Sequence, residues 1–110
     1  MSKLPKALNE AEETFALHCK TRKLEPQREF IFCPGRKWKF DFCFPLLRLA
    51  IELEGGVHRI KGRFAGDVEK YNKATLMGWK LLRYTKEMVI AGTAIDEVEW
   101  MVRNLKDGLK

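Results

Sequence analysis

The sequence predicts a single α/β domain with a mixed sheet of four strands flanked by helices. Three neighbouring segments within residues 27–54 have strand-type composition, and a fourth such segment follows a helical pattern. The predicted order is therefore helix, three strands, helix, strand and C-terminal helix, which is typical of layered α/β domains. The 110 residues leave room for one domain, residues 1–110, with one modest core.

The composition is that of a globular protein. Hydrophobic residues make up 45% of the chain and charged residues 33%, a balance that disordered proteins lack. No apolar run approaches the ~20 residues of a membrane helix, and the stretch MSKLPKALNEAEE lacks a secretory-signal segment. We therefore expect a cytoplasmic protein with no membrane partner. The formal net charge of +6 permits nucleic-acid binding without requiring it.

The first two elements are a helix and a strand. Apolar residues recur at helical spacing between Leu8 and Cys19, which predicts a helix over about residues 9–23. The proline at position 26 ends that pattern. The segment QREFIFC, residues 27–33, predicts a strand, and a Pro-Gly turn signal follows it.

The next two strands alternate in polarity. KWKFDFCF, residues 37–44, and LRLAIELE, residues 47–54, are joined by a predicted turn at Pro45-Leu46. The aromatic face of the first strand should match the aliphatic face of the second, because a one-residue slip would expose one of them. The expected core-facing residues are Trp38, Phe40, Phe42 and Phe44, opposite Leu47, Leu49, Ile51 and Leu53.

The second half of the chain adds a helix, a strand and a helical tail. After the predicted loop GGVHRIKGRFAG, a helix is expected over about residues 65–77, with Gly78 as its stop. WKLLRYT, residues 79–85, predicts the fourth strand, and residues 87–109 predict a mainly helical tail interrupted near Gly92. The expected buried stripe of the middle helix consists of Phe64, Val68, Tyr71 and Thr75.

Carboxylates converge on the other face of the predicted hairpin. Asp41 is expected to lie opposite Ala50 or, with a small shift, opposite Glu52, and Glu54 follows on the same face. Neighbouring Cβ atoms in such a pair are ~5 Å apart. Carboxylates this close raise one another's pKa values, and a divalent metal removes the conflict. The spacing therefore suggests a metal site built on two adjacent strands.

The first helix offers a further carboxylate. Glu12 falls within the apolar stripe of that helix, whereas Glu13 falls outside it. A carboxylate on a buried face needs a partner, and packing of the helix on the sheet would bring Glu12 toward Asp41. Simpler interpretations remain open, because Asp41 alone suits a solvated strand and Glu52 and Glu54 suit ion pairs with nearby Lys or Arg residues.

The pattern resembles a known nuclease superfamily. The helix glutamate in AEETF, the aspartate in KWKFDF, the strand end IELEGGVH and the segment DVEKYNKATLMGWKLLRY are similar to PD-(D/E)XK nucleases, near the very-short-patch-repair-like and DUF559-type branch. The run GRKWKFDF followed by ELEGG and EKYN is also similar to short phage and prophage proteins. The resemblance implies a restriction-endonuclease-like core of αβββαβ order plus a C-terminal helix, in the host cytoplasm if the chain is phage-encoded.

The resemblance also implies an activity and a site. It implies a Mg²⁺-dependent DNA endonuclease, with Mn²⁺ as a substitute, that hydrolyses phosphodiester bonds. Asp41 matches the central metal-binding aspartate and Glu52 the acidic residue of the (D/E)XK pair. Position 54, where lysine is usual, is Glu54, so the missing cation is expected from Lys70 of the second helix or from His58. The implied metal ligands are Glu12, Asp41, Glu52 and Glu54, and the implied catalytic residues are Asp41, Glu52, Glu54, His58 and Lys70.

DNA must approach this acidic site despite its own negative charge, so basic residues should surround it. Cutting both strands of a duplex or a branched junction would require two copies of a chain this small, which makes a homodimer possible. The alternative function is a non-catalytic DNA-binding module that keeps the nuclease fold, and a third is an interaction protein without metal affinity. The expected DNA-binding residues are Arg36, Lys37 and Lys39 before Asp41, and Arg59, Lys61 and Arg63 after the glycine turn.

Overall fold

The sheet and its helices follow the predicted order. The computed structural model describes residues 6–54 and 61–108, with side chains described over 10–54 and 66–108. The sheet order is β1-β2-β3-β4, with antiparallel pairing between the first three strands and parallel pairing between β3 and β4. The α/β class and the four-stranded mixed sheet are thus confirmed. The elements are α1 Lys6–Thr21, β1 Gln27–Ile31, β2 Lys39–Phe44, β3 Leu49–Glu54, α2 Lys61–Leu76, β4 Lys80–Thr85, α3 Lys86–Ala91 and α4 Thr93–Gly108.

Helices cover both faces of the sheet. On one face, Phe15 of α1 packs edge-on against Phe42 of β2 at 4.9 Å between ring centroids, in a cluster with residues of α3 and α4. On the other face, Ala74 of α2 packs into a smaller cluster that contains Trp79. Burial of these apolar groups on both sides of the sheet supplies the main stabilisation of the domain.

The predicted alternation along β2 is wrong in one respect. Phe42 and Phe44 pack in the cluster on the α1 face, but Trp38 and Phe40 pack in the cluster on the α2 face. The cause lies in β1, where Glu29 has a left-handed φ of 53°. A left-handed residue interrupts the two-residue alternation of side chains along a strand, so Arg28 and Phe30 on either side of Glu29 face opposite sides of the sheet. Their pairing partners in β2, Phe42 and Phe40, therefore also face opposite sides.

The predicted start of α2 is wrong, and its predicted buried stripe is confirmed only at Tyr71, with the side chain of Phe64 outside the described side chains. The helix begins at Lys61, so Lys61 and Arg63 lie in its first turn rather than in a glycine-rich loop. Val68 is 44% exposed and Thr75 is exposed. The sheet, rather than the most apolar stripe, sets the face that the helix presents. The more buried positions of the helix are Asp67, Lys70, Tyr71, Ala74 and, just beyond its end, Met77.

The remaining features agree with the sequence. A single 3₁₀ turn, Pro45–Leu47, joins β2 to β3 where a turn was predicted. The predicted interruption of the tail is confirmed at Gly92, whose φ of 90° ends α3 before α4 begins. Within residues 6–54 and 61–108, no helix has the length and apolar character needed to cross a bilayer.

Candidate functional site

Asp41 and Glu52 lie side by side on neighbouring strands. The pairing of Phe42 with Ile51 places Asp41 opposite Glu52, not opposite Ala50, so one of the two predicted registers is selected. The Asp41 backbone N–H donates to Glu52 Oε2 at 2.9 Å. The Leu53 backbone N–H donates to Asp41 Oδ2 at 2.8 Å. Each carboxylate is thus fixed by the backbone of the opposite strand, which holds geometry more firmly than a loop would.

Glu52 is the buried acid of the site and has two further partners on α2. Its exposure is 7%, and its Oε1 accepts from Lys70 Nζ at 2.9 Å and from the Tyr71 hydroxyl at 3.1 Å. A buried carboxylate needs such partners, because its charge is otherwise costly away from water. Of the two predicted sources for the missing cation, Lys70 is therefore beside Glu52. His58 lies outside the described residues.

A third acid near Asp41 was missed by the sequence analysis. Carboxylate oxygens of Glu12, Glu29 and Asp41 all lie within 4.8 Å of one another. Glu29 occupies the β1 position between the pairs Arg28–Phe42 and Phe30–Phe40, directly across from Asp41. The register of β1 on β2 would have indicated Glu29. That register cannot be read from the alternation of polar and apolar residues, because the left-handed φ of Glu29 interrupts the alternation.

The electrostatics of the site favour a cation. Burial, followed by the charge of Glu52, raises the pKa of Asp41 to about 7, and Glu12 adds to the rise. The Leu53 N–H and Lys70 act in the opposite direction but do not offset it. Burial, followed by the charge of Glu29, also raises the pKa of Glu12. A positive ion beside these groups would favour their charged forms and remove the repulsion.

The glutamates around Asp41 are paired with basic side chains of the protein. Lys39 Nζ lies 2.7 Å from Glu29 Oε1, and Arg28 Nη2 lies at a long 3.5 Å from Glu12 Oε1. Glu54, which was predicted to share a metal with Asp41, instead accepts from Arg83 Nε of β4 at 2.7 Å. It is not part of the three-acid group formed by the described residues.

The donor set suits a hard divalent cation. All the candidate ligand atoms are carboxylate oxygens, which Mg²⁺ and Mn²⁺ prefer over nitrogen or sulfur ligands. Asp41 could share a cation with either set of neighbours. Glu52 lies on one side of it, and the Glu12–Glu29 pair lies on the other. The residues present therefore fit the ion that the resemblance implies.

Three of the six predicted DNA-binding residues have described side chains, and these three precede Asp41 in the chain. Arg36 lies over the ring of Trp38 at 3.7 Å from its centroid and contacts Glu69 of α2 at 3.3 Å. Lys37 is exposed, and Lys39 is held by Glu29. Arg59 lies outside the described residues, and the side chains of Lys61 and Arg63 lie outside the described side chains.

No protein-family model, curated protein or solved structure matches the chain.

Proposed function

We propose that this protein is a metal-dependent DNA endonuclease of the PD-(D/E)XK type, with a restriction-endonuclease-like core. One observation carries the proposal: Asp41 and Glu52 meet on adjacent strands, and Lys70 of α2 binds Glu52 at 2.9 Å. The arrangement supplies two acids and one cation, the set that the resemblance requires, with the cation on a helix rather than at position 54. Mg²⁺ is the proposed cofactor and Mn²⁺ its substitute.

The acids would hold the metal and position the substrate. The chemistry that Mg²⁺ supplies when bound is activation of water and neutralisation of charge developing on the phosphate. Asp41 and Glu52 would bind the ion, with Glu12 and Glu29 as sources of further oxygen ligands. Lys70 would keep the Glu52 carboxylate oriented and place a fixed positive charge beside the reacting phosphate.

Basic residues would bring the substrate to the acids. The net charge of +6 favours DNA, whereas the cleavage site itself repels it. Arg36 and Lys37 precede β2, so they lie on the chain segment that leads into Asp41. A single site cuts one strand at a time, so double-strand cleavage or junction cleavage would require two copies of the chain.

A cleavage assay tests the proposal. Supercoiled plasmid and a branched oligonucleotide duplex are incubated with the protein in Mg²⁺, in Mn²⁺ and in chelator. We expect metal-dependent cleavage that Asp41→Asn reduces by at least about a thousand-fold, since a metal contributes several kcal/mol to such a reaction. Lys70→Met should reduce it by about a hundred-fold or more.

Matched controls separate the site from its surroundings. Lys73→Met removes an exposed lysine from the same helix and should leave cleavage unchanged. Glu87→Gln changes an exposed glutamate of α3, away from the site, and should also be neutral. Cleavage that survives Asp41→Asn would come from a contaminating nuclease or another site, and it would contradict the proposal.

A non-catalytic DNA-binding module is the second candidate. The observation that favours it is the pairing of four glutamates with Lys or Arg, which satisfies these acids without a metal. This candidate predicts that DNA is retained but not cut in either metal, and that Asp41→Asn does not weaken retention. The paired acids are Glu12, Glu29, Glu52 and Glu54.

A further inference from the structure

A basic cleft lies between the end of α1 and the start of β1, beside the acidic site. Its volume is about 510 Å³, within the range of ligand sites in proteins. The buried side chains of Cys19 and Phe42 form part of its floor. Three cations to one carboxylate make the cleft attractive to an anion. The charged residues of its lining are Lys20, Lys23, Arg28 and Glu25.

Lys23 has a backbone conformation that ordinarily selects glycine. Its φ is 60°, and it occupies the left-handed position of the motif in which the Leu24 N–H donates to the Cys19 carbonyl oxygen at 2.8 Å. The corresponding positions after α2 and α3 are filled by Gly78 and Gly92, both with φ of 90°. A lysine there costs conformational energy that glycine would avoid. Its side chain is therefore expected to serve a purpose other than ending the helix.

Arg28 connects the cleft to the acidic site. Its Nη2 lies 3.5 Å from both Glu12 Oε1 and Glu13 Oε2, and its guanidinium lies over the ring of Phe42, yet the side chain is 41% exposed. A guanidinium has five N–H donors, so Arg28 can keep its contact with Glu12 and also bind an anion in the cleft. An anion bound there would lie next to the acids that are proposed to act in cleavage.

We propose that the cleft of Lys20, Lys23 and Arg28 binds the sugar-phosphate backbone of a DNA strand next to the bond that the acidic site cleaves. This inference rests on the proposed function, and it adds three contact residues to those predicted from the sequence. The lysines and the arginine suit phosphate oxygens, and the apolar floor suits the sugar between two phosphates. A strand bound there would enter the acidic site past Arg28.

The test measures DNA binding without cleavage. All variants are made in full-length protein that carries Asp41→Asn, and binding of a labelled 20-base-pair duplex is titrated at several salt concentrations in Mg²⁺. Lys20→Gln with Lys23→Gly should weaken binding by about tenfold at ~0.1 M salt and lower the salt slope by about 1.8, or 0.9 for each lost phosphate contact. Lys106→Gln, which removes an exposed lysine from the last turn of α4, should change neither quantity.

The glycine substitution separates binding from folding. Lys23→Gly keeps the left-handed turn and relieves its strain, so thermal stability should stay the same or rise while DNA affinity falls. If Lys23 served only to stabilise the end of the helix, its removal would lower thermal stability and would leave the salt dependence of DNA binding unchanged.

The outcomes distinguish this inference from the proposed function. An unchanged affinity and salt slope in the double variant, or no DNA binding by the Asp41→Asn protein, would overturn the cleft assignment even if wild-type protein cuts DNA. Cleft-dependent binding by a wild-type protein that cuts no DNA would support the DNA contact and overturn the nuclease.

Discussion

Asp41 lies at the centre of the acidic group formed by the described residues. Its backbone N–H donates to the Glu52 carboxylate, and its own carboxylate accepts from the Leu53 N–H and lies near those of Glu12 and Glu29. None of these contacts neutralises it, and within the described part of the chain no Lys or Arg forms an ion pair with it. A residue whose pKa is raised in this way, inside a cluster of acids, is a candidate for metal binding with a stated physical cause.

The pKa of Asp41 predicts a pH dependence of stability in metal-free protein. Burial raises the pKa to about 7, so the folded state holds this proton more tightly than the unfolded chain does. The resulting stabilisation is complete below the ordinary carboxyl pKa and is lost as the pH rises to about 7. Asp41→Asn keeps an acceptor for Leu53 and carries no charge. We therefore expect the variant to gain stability relative to wild type between about pH 4 and about pH 8.

Urea unfolding in chelator at several pH values measures this difference. A difference in the free energy of unfolding that stays flat over this range would show that ionised Asp41 is not destabilised in the fold. Added Mg²⁺ should reduce the advantage of the variant, because the ion stabilises the charged wild-type carboxylates.

At the scale of elements, residues with left-handed backbone decide where helices end and where strands turn. Gly78 and Gly92 end α2 and α3, and Lys23 follows the end of α1. Glu29 places a left-handed residue inside β1 and redirects the side chains on either side of it. Lys23 and Glu29 thus lie at the end of α1 and within β1, the two elements that bring Glu12 and Glu29 to Asp41.

Substitution by alanine should change the stability of the protein in opposite directions at two of its glycines. Gly92→Ala forces a Cβ into the left-handed region and should destabilise the protein by about 1 kcal/mol. Gly66 lies within α2, and a Cβ added there would meet nothing within 4 Å. Gly66→Ala should therefore stabilise the protein by about 0.5–1 kcal/mol. Thermal unfolding monitored by circular dichroism measures both changes, and the same sign for both would contradict this account.

At the scale of the whole molecule, a basic protein surrounds an acidic centre. The formal net charge is +6, while the carboxylates around Asp41 of β2 repel one another. Such a charge distribution suits a protein that attracts DNA and holds a cation at the point of contact. If the proposed cation binds there, it would relieve this repulsion and stabilise the fold.

Metal binding should therefore raise the melting temperature. At a Mg²⁺ concentration of about ten times its dissociation constant, mass action adds about 1.4 kcal/mol, or a rise of about 5 °C or more in a domain of this size. Differential scanning calorimetry in Mg²⁺ and in chelator measures the rise. Glu87→Gln, at an exposed position of α3, should retain the rise, and Asp41→Asn should lose most of it. An equal rise in all three proteins would indicate a general salt effect instead of a site.

Much of the fold follows from local signals in the sequence. Period-two alternation located β3 and its two faces, helical spacing located α1, and Gly92 located the break in the tail, because each signal acts over a few neighbouring residues. The proximity of Asp41 and Glu52 was also within reach, because adjacent strands joined by a short turn have few possible registers.

Only the tertiary structure decided the rest of the site. Glu29 joins Asp41 through the register of β1, Lys70 meets Glu52 because α2 packs on this face of the sheet, and Glu54 turns to Arg83 because β4 lies beside β3. These contacts join residues from separate elements, so no pattern within one segment contains them. The sequence by itself determined which acids neighbouring strands can bring together. Long-range packing determined which Lys and Arg side chains face those acids and where the basic cleft lies relative to them.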